Sequence, residues 1–215
     1  MRLFLASQDF GDYVDRLKKL VGANRKVLII QNSKDDWKPE ARRTSLVNKM
    51  ELLEKEGFKP TELDLRNYFN NNNLPAFIDK FKPGLILVTG GSPFMVSQAM
   101  RLSGLTKKLW QDLKQDKYVY AGFSAGAMAA ALDLHPFDRL DRAVIVKDTY
   151  GVESDYKGLG LVNEYILPHA DHADHTEIIK EREAAITAMG GGAIPIVLHD
   201  SDVFVVDGDK KEVLR

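Results

Sequence analysis

The sequence contains no cysteine. Disulfide bonds, thiolate metal sites and a cysteine nucleophile are therefore excluded together. Long hydrophobic runs are also missing: no apolar stretch reaches the length of a membrane span, and the apolar start MRLFLASQDF is too short for a secretory signal. We therefore expect a cytoplasmic protein that has no membrane partner.

An excess of charge of either sign is lacking as well. The 30 basic residues nearly balance the 31 acidic ones, the net charge is −1 at pH 7, and the basic residues are scattered along the chain. This distribution argues against a nucleic-acid partner, which requires a basic patch. The 215 residues can bury one large core, and no linker or repeat divides them, so we expect a single domain over 1–215.

Short β-rich runs alternate with longer amphipathic runs along the chain. The pattern predicts strands at 2–7, 26–32, 60–65, 84–90, 118–123, 143–146, 195–199 and 203–207. It predicts helices at 9–21, 40–56, 73–81, 93–102, 105–116 and 173–189, with one more starting soon after residue 124. The runs LILV and VLII are continuously apolar, which is typical of strands covered on both faces. We therefore predict an α/β fold in which helices cover both sides of a parallel sheet.

Two glycine-containing segments follow predicted strands, at the edge where parallel sheets bind ligands. GFSAG (122–126) fits the pattern G-x-S-x-G, in which small neighbours allow a sharp strand-to-helix turn that exposes the serine, here Ser124. Such a turn also directs the N–H of the next residue, Ala125, at an oxyanion formed beside it. TGGSP (89–93) follows LILV, and its glycines let a second N–H approach a ligand. An ordinary glycine-flanked turn is the alternative for either segment alone.

The chain resembles the dipeptidase E (α-aspartyl dipeptidase) and cyanophycinase family. The resemblance lies in VTGGSPF, YAGFSAGAM and GLGLVNEYILPHAD, which occur in the same order within about residues 26–208. Members are serine peptidases with a flavodoxin-like, three-layer αβα sandwich of the class I glutamine amidotransferase type. The resemblance implies that Ser124 is the nucleophile, that His169 is the general base, and that the N–H groups of Gly91 and Ala125 form the oxyanion hole. It also implies short peptides as substrates and no cofactor.

A serine nucleophile needs a histidine within hydrogen-bond reach. The sequence offers His135, His169, His172, His175 and His199. His169 follows Pro168 at the end of ILP, where the fixed φ of proline and a strand end would hold the imidazole rigidly. The spacing of three in PHADHADH also suggests a metal site, but on a helix each step of three advances by about 300°, so the outer two rings would point roughly 120° apart. We therefore expect no metal there.

The third member of a triad has several candidates. Asp133, Asp138, Asp141 and Asp148 lie between the serine and the histidine, and Asp200 follows the histidine. An orienting carboxylate must accept a hydrogen bond from the second imidazole nitrogen. Asp200 follows the buried-looking strand IVLH and should therefore lie at the same sheet edge as the other site loops, so we favour Asp200. Asp138 and Asp141, in the polar stretch HPFDRLDR, remain the alternatives.

The chain departs from the family at the residue that binds the substrate's aspartate side chain. In α-aspartyl dipeptidases this is a basic residue on the helix after the catalytic histidine. Here HTEIIKEREAAI places Lys180 or Arg182 nearby without a clean match, and a solvated residue on the helix surface is an equally good interpretation.

Three functions are compatible with these patterns. The leading prediction is a serine peptidase that hydrolyses short peptides, including dipeptides, through an acyl-enzyme. An esterase or amidase for small acyl compounds would use the same chemistry. A binding or regulatory protein without catalysis could share the fold, although the presence of both Ser124 and His169 argues against it.

Overall fold

The computed structural model describes the backbone of all 215 residues and the side chains of all except 139 and 140. The strands are β1 (Arg2–Ala6), β2 (Lys26–Ile30), β3 (Lys59–Glu62), β4 (Leu85–Val88), β5 (Val119–Phe123), β6 (Glu164–Leu167), β7 (Ile194–Val197), β8 (Val203–Asp207) and β9 (Lys210–Leu214). The helices are α1 (Val14–Val21), α2 (Pro39–Lys55), α3 (Leu74–Phe81), α4 (Pro93–Leu102), α5 (Leu105–Lys114), α6 (Ala125–Met128), α7 (Asp138–Asp141), α8 (Ile145–Tyr150) and α9 (Thr176–Met189). Within this described part, no helix is both long and apolar enough to cross a membrane.

Seven strands form the main sheet, in the order β3-β2-β4-β5-β1-β8-β9. The first five of these pair in parallel, whereas β8 and β9 are antiparallel to their neighbours. The carboxyl ends of β4, β5 and β1 therefore lie side by side at one edge. The sheet thus confirms the predicted, mostly parallel α/β architecture, and it brings the loops after these three strands together.

Alternate residues of the central strands pack on opposite faces of the sheet. In β1, Leu3 and Leu5 belong to one buried cluster and Phe4 and Ala6 to the other. Helices α3, α4 and α5 supply apolar side chains to the first cluster, and α1 and α2 supply them to the second. Because both faces are covered, the strands are apolar at nearly every position, which explains runs such as LILV. The result is a three-layer sandwich.

The segment 143–146, which we predicted as a strand, is helical instead. Ala143 and Val144 form a turn just before α8, and Ile145 and Val146 begin that helix. Ala143 and Val146, three positions apart, are buried, while Val144 between them is 50% exposed. This burial has the spacing of a helix rather than the two-residue alternation of a strand. The β-branched composition of AVIV was therefore misleading, since tertiary packing overrides strand propensity.

Two strands were missed or only partly anticipated from the sequence. β9 carries charged residues along an outer edge of the main sheet and has no apolar run to reveal it. β6 lies in GLGLVNEYILPHAD and pairs in parallel with β7, so the two form a small second sheet. This second sheet holds the predicted histidine and aspartate, as described below.

Candidate active site

Ser124 lies on a sharp turn between β5 and α6. Its backbone angles, φ 49° and ψ −109°, fall outside the regions that side chains normally permit. The turn requires glycine two positions before and two positions after Ser124: a Cβ added to Gly122 would lie 2.3 Å from the backbone of Gly126. The helix that follows, α6, is only 4 residues long. The strand-to-helix turn expected from GFSAG is therefore present, with a shorter helix than the alanine-rich sequence suggests.

Gly126 offers a direct test of this turn. A Cβ added there would lie 2.4 Å from the carbonyl oxygen of Val88, so Gly126→Ala must displace β4 or the loop that carries Ser124. We expect this variant to lose most of its hydrolytic activity while the remaining folded protein keeps its secondary structure. Measuring kcat/KM beside circular dichroism would test it.

The control for this variant is Gly57→Ala. Gly57 also has a positive φ, 81°, but nothing lies within 4 Å of its added Cβ. The substitution should lower the free energy of unfolding by about 1 kcal/mol without lowering kcat/KM. Near-normal turnover in Gly126→Ala would show that activity does not require the close approach of Gly126 to β4.

The loop after β4 approaches Ser124 from the neighbouring strand. A Cβ added to Gly90 would lie 3.3 Å from the Cβ of Ser124. Gly91 has φ 139°, and a Cβ there would lie 2.3 Å from the carbonyl oxygen of Ser33. The loop is held by the N–H of Ser92, which donates to that same oxygen at 2.7 Å. Only glycine fits this position without displacement.

His169 and Asp200 come from the ends of the two paired strands β6 and β7. In that pair Leu167 lies opposite Val197, so the residues shortly beyond each strand leave the sheet on the same side. His169 adopts φ 65°, and its N–H donates to Ser7 Oγ at 2.8 Å. Sequence reasoning placed both residues at strand ends, and the parallel pairing explains why they meet.

Ser124, His169 and Asp200 form a continuous hydrogen-bonded series. Ser124 Oγ lies 2.9 Å from His169 Nε2, and His169 Nδ1 lies 2.6 Å from Asp200 Oδ1. Because an ionised carboxylate can only accept, Nδ1 must carry the proton, and Nε2 of the neutral ring is left to accept from the serine hydroxyl. The side chains of His169 and Asp200 are each 21% exposed, so a substrate can reach the series.

Ser7 is a site residue that the sequence analysis missed. It follows β1 and is fully buried. Its hydroxyl accepts from the N–H of His169 and lies 3.5 Å from Asp200 Oδ1. Its own N–H donates to the carbonyl of Asp202. The one available signal was its position at the carboxyl end of a central strand, next in the sheet to β5, which ends one residue before Ser124.

The alternative carboxylates bind elsewhere. Asp138 accepts from the N–H of Ala143 at 2.6 Å and from the hydroxyl of Tyr156 at 2.9 Å. Asp141 forms a 2.7 Å ion pair with Arg182, whose side chain is only 6% exposed. Neither contacts the imidazole of His169, so Asp200 is the carboxylate that the fold brings to it.

The basic residues considered for substrate binding are each paired with a carboxylate of the chain itself. Lys180 is exposed and pairs with Glu177. Arg182 is buried between Asp141 and the carbonyl of Phe137. The interpretation as a solvated surface residue therefore describes Lys180, whereas for Arg182 it is wrong.

A second histidine binds the carboxylate of Asp200. His172 Nε2 lies 2.8 Å from Asp200 Oδ2. This hydrogen bond and the negative charge of Asp200 raise the pKa of His172. Burial raises the pKa of Asp200, but the hydrogen bonds from His169 and His172 outweigh it and leave that pKa below its usual range. Asp200 therefore stays ionised and bridges two imidazoles.

The three histidines of PHADHADH lie together, contrary to the helical geometry that we assumed for them. The ring centroids of His169, His172 and His175 are 5.5 to 5.8 Å apart. Residues 168–172 are irregular, and only 173–175 form a short 3-10 turn. The angular argument against a metal therefore rested on a helix that is not there.

The fold and the site together define a class of protein. A serine, a histidine and an aspartate bonded in series at the carboxyl edge of a parallel sheet is the arrangement of serine hydrolases. The family model of peptidase family S51 matches residues 6–214. The chain belongs to this family and is a peptidase of the serine class, which the resemblance predicted.

Solved structures support the same fold. The chain is similar to a candidate peptidase E protein from Listeria monocytogenes EGD-e, with 22% identity, a TM-score of 0.74 and coverage of 100% of this chain and 98% of that one. It is also similar to a peptidase from an acI-B1 actinobacterium, with 18% identity, a TM-score of 0.67 and coverage of 99% and 86%. A search of the curated proteins found no match. At these identities the likeness shows the fold alone.

Proposed function

We propose that this protein hydrolyses short peptides through a covalent acyl-enzyme on Ser124. The observation that carries the proposal is the hydrogen-bonded series from Ser124 Oγ through His169 to Asp200, at 2.9 and 2.6 Å. A free serine hydroxyl is a weak nucleophile, and an adjacent base that is itself oriented by a third group is what activates it.

Each member of the series has a distinct role in the proposed reaction. Ser124 Oγ attacks the scissile carbonyl carbon while His169 Nε2 accepts its proton. Asp200 holds the proton on Nδ1 and stabilises the imidazolium that forms. The imidazolium then gives its proton to the leaving amine, which leaves the acyl-enzyme. Water, deprotonated by the same nitrogen, hydrolyses the ester and regenerates the hydroxyl of Ser124.

The oxyanion of the tetrahedral intermediate would be held by the N–H groups of Gly91 and Ala125. Ala125 directly follows the nucleophile, and Gly91 lies in the loop that approaches Ser124 from β4. For neither N–H does the described part of the chain supply an acceptor. Two backbone donors fixed in advance stabilise developing charge without reorganisation during the reaction.

Two lysines beside this loop support a substrate that carries a carboxylate, as a short peptide does. Lys34 and Lys49 line one groove of about 820 Å³. A Cβ added to Gly91 would lie 2.9 Å from Lys34 Cγ, and Lys49 Nζ lies 4.8 Å from the ring centroid of Phe123, the residue before the nucleophile. Among the described side chains, neither lysine forms an ion pair with a carboxylate.

The two cations also repel each other. Burial first, and then the positive charges of Lys49 and Arg42, together lower the pKa of Lys34 to about 8. Burial likewise lowers the pKa of Lys49, with Asp9 opposing the shift. A substrate carboxylate bound in this groove would offset the repulsion between the two lysines, and this favours binding of the carboxylate.

This substrate preference predicts a selective change in KM. Lys49→Met should raise KM for dipeptides with a free carboxyl terminus by about 10-fold, which corresponds to roughly 1.4 kcal/mol for one charged hydrogen bond, and should leave kcat nearly unchanged. In the wild type, KM should rise as pH passes about 8, where Lys34 loses its charge. Lys55→Met, an exposed lysine on the same groove, is the matched control and should leave KM as it is.

The function itself is tested with a panel of purified substrates. The panel contains dipeptides and tripeptides with free carboxyl termini, their carboxamides, and small acyl esters. We expect turnover of the short peptides, with a lower KM for the free acids than for the carboxamides. Ester turnover without any peptide turnover would replace the proposal with an esterase.

A further inference from the structure

The environment of Asp200 contains the donor set of a transition-metal site. His169, His172 and Asp200 each offer one ligand atom, and these three atoms lie within 4.8 Å of one another. The nitrogens that face the carboxylate are Nδ1 of His169 and Nε2 of His172, at 2.6 and 2.8 Å from its two oxygens. The donors of a tetrahedral zinc ion, bound at about 2.0–2.2 Å, lie about 3.3–3.5 Å apart. Small rotations of the three side chains would bring their ligand atoms to that spacing.

We infer that His169, His172 and Asp200 form a binding site for a zinc-type divalent cation, which inhibits the peptidase when it is bound. The donor types select the ion, because two imidazoles and one carboxylate suit zinc, whereas Mg²⁺ and Ca²⁺ prefer sites built from oxygen alone. Asp171 and Asp174 add negative charge around His172, and Asp171 Oδ1 also accepts from the N–H of Asp200. The site is therefore electrostatically suited to a cation.

Inhibition follows from the two nitrogens of one imidazole ring. In the catalytic state Nδ1 carries the proton and Nε2 accepts from Ser124. A cation that binds Nδ1 takes the lone pair there, so the Nδ1 proton is lost to solvent and Nε2 takes up a proton from solvent in its place. The neutral ring then carries its proton on Nε2, which lies 2.9 Å from Ser124 Oγ, and can no longer accept one. Asp200 is also drawn from the imidazole to the ion.

The inhibitory consequence rests on the proposed function, whereas binding of the ion does not. Binding should therefore be measured without turnover, by calorimetry and by competition with a chromophoric chelator, in Ser124→Ala, which retains all three donors. We expect one zinc ion per chain and no binding of Mg²⁺ at the same concentration. His172→Gln in that background should weaken zinc binding by at least about 10-fold, the loss found when even a group supporting a ligand is removed.

His175→Gln is the matched control for this experiment. Its ring lies 5.5 Å from that of His172, but His175 is outside the three-donor set, so its loss should leave zinc affinity unchanged. In the active enzyme, zinc should lower the rate, a chelator should restore it, and the zinc concentration for half-inhibition should rise at least about 10-fold in His172→Gln. Equal zinc affinity with and without His172, or no binding to Ser124→Ala, would overturn the proposal even if the peptidase is active. Zinc binding by an inactive wild type would uphold the site and refute the proposed function.

Discussion

Ser124→Ala should lower kcat/KM for a short peptide by about 10⁶-fold, close to the loss seen when the nucleophile of a serine peptidase is removed. The reason is that, among the described side chains, Ser124 Oγ is the hydroxyl that bonds to His169 Nε2, at 2.9 Å. The residual rate of Ser124→Ala should still exceed the rate of uncatalysed peptide hydrolysis in water, because the proposed oxyanion donors and the binding groove remain. The comparison requires highly purified protein, since traces of host peptidase would obscure a change of this size.

The same position also predicts a gain of stability that accompanies the loss of activity. Ser124 holds φ 49° and ψ −109°, a conformation that costs a residue with a side chain on the order of 1–3 kcal/mol. Ser124→Gly removes this strain, so its free energy of unfolding should exceed that of Ser124→Ala by about 1 kcal/mol. Denaturant unfolding of the two inactive variants measures the difference. Equal stability would mean that the backbone at Ser124 is relaxed in solution.

Asp200→Asn should lower kcat by up to about 10⁴-fold and leave the fold intact. An asparagine can present its N–H₂ to His169 Nδ1 and thereby favour the proton on Nε2, where it blocks acceptance from Ser124. It also removes the charge that stabilises the imidazolium. The effect should appear in kcat more than in KM, because the charge matters most in the transition state.

Asp141→Asn is the control for the choice of carboxylate. Asp141 is mostly buried and pairs with Arg182 at 2.7 Å. Removing one partner of a buried ion pair destabilises a protein by about 3–5 kcal/mol, so this variant should unfold more easily, while the folded fraction keeps most of its kcat. If Asp200→Asn instead retains activity and Asp141→Asn abolishes it, Asp141 is the orienting carboxylate.

The site residues could be anticipated because the chemistry lies at strand ends. GFSAG and TGGSP follow apolar runs that could only be central strands, and the ends of parallel strands share one edge. The preference for Asp200 over Asp138 and Asp141 used the same reasoning, and the distances agree with it. The resemblance to the dipeptidase E family supplied what local patterns lacked, namely which histidine pairs with the serine.

The failures came from segments whose structure depends on distant contacts. AVIV has strand composition, but Ala143 and Val146 pack into a third apolar cluster with helical spacing. For His172, the error was the assumption of a helix: the chain turns irregularly after Pro168, and this turn brings His172 onto Asp200. Ser7 gave only the signal of its position after a central strand, since its contacts depend on β8 lying beside β1.

Covalent labelling tests whether Ser124 is a nucleophile that His169 activates. Purified protein is treated with a serine-directed phosphonate, and its intact mass and labelled peptide are determined by mass spectrometry. We expect one adduct per chain, located on Ser124, no adduct in Ser124→Ala, and much slower labelling in His169→Gln because that variant lacks the general base. Labelling that is absent from Ser124 in the wild type, or that proceeds at the same rate without His169, would contradict the claim.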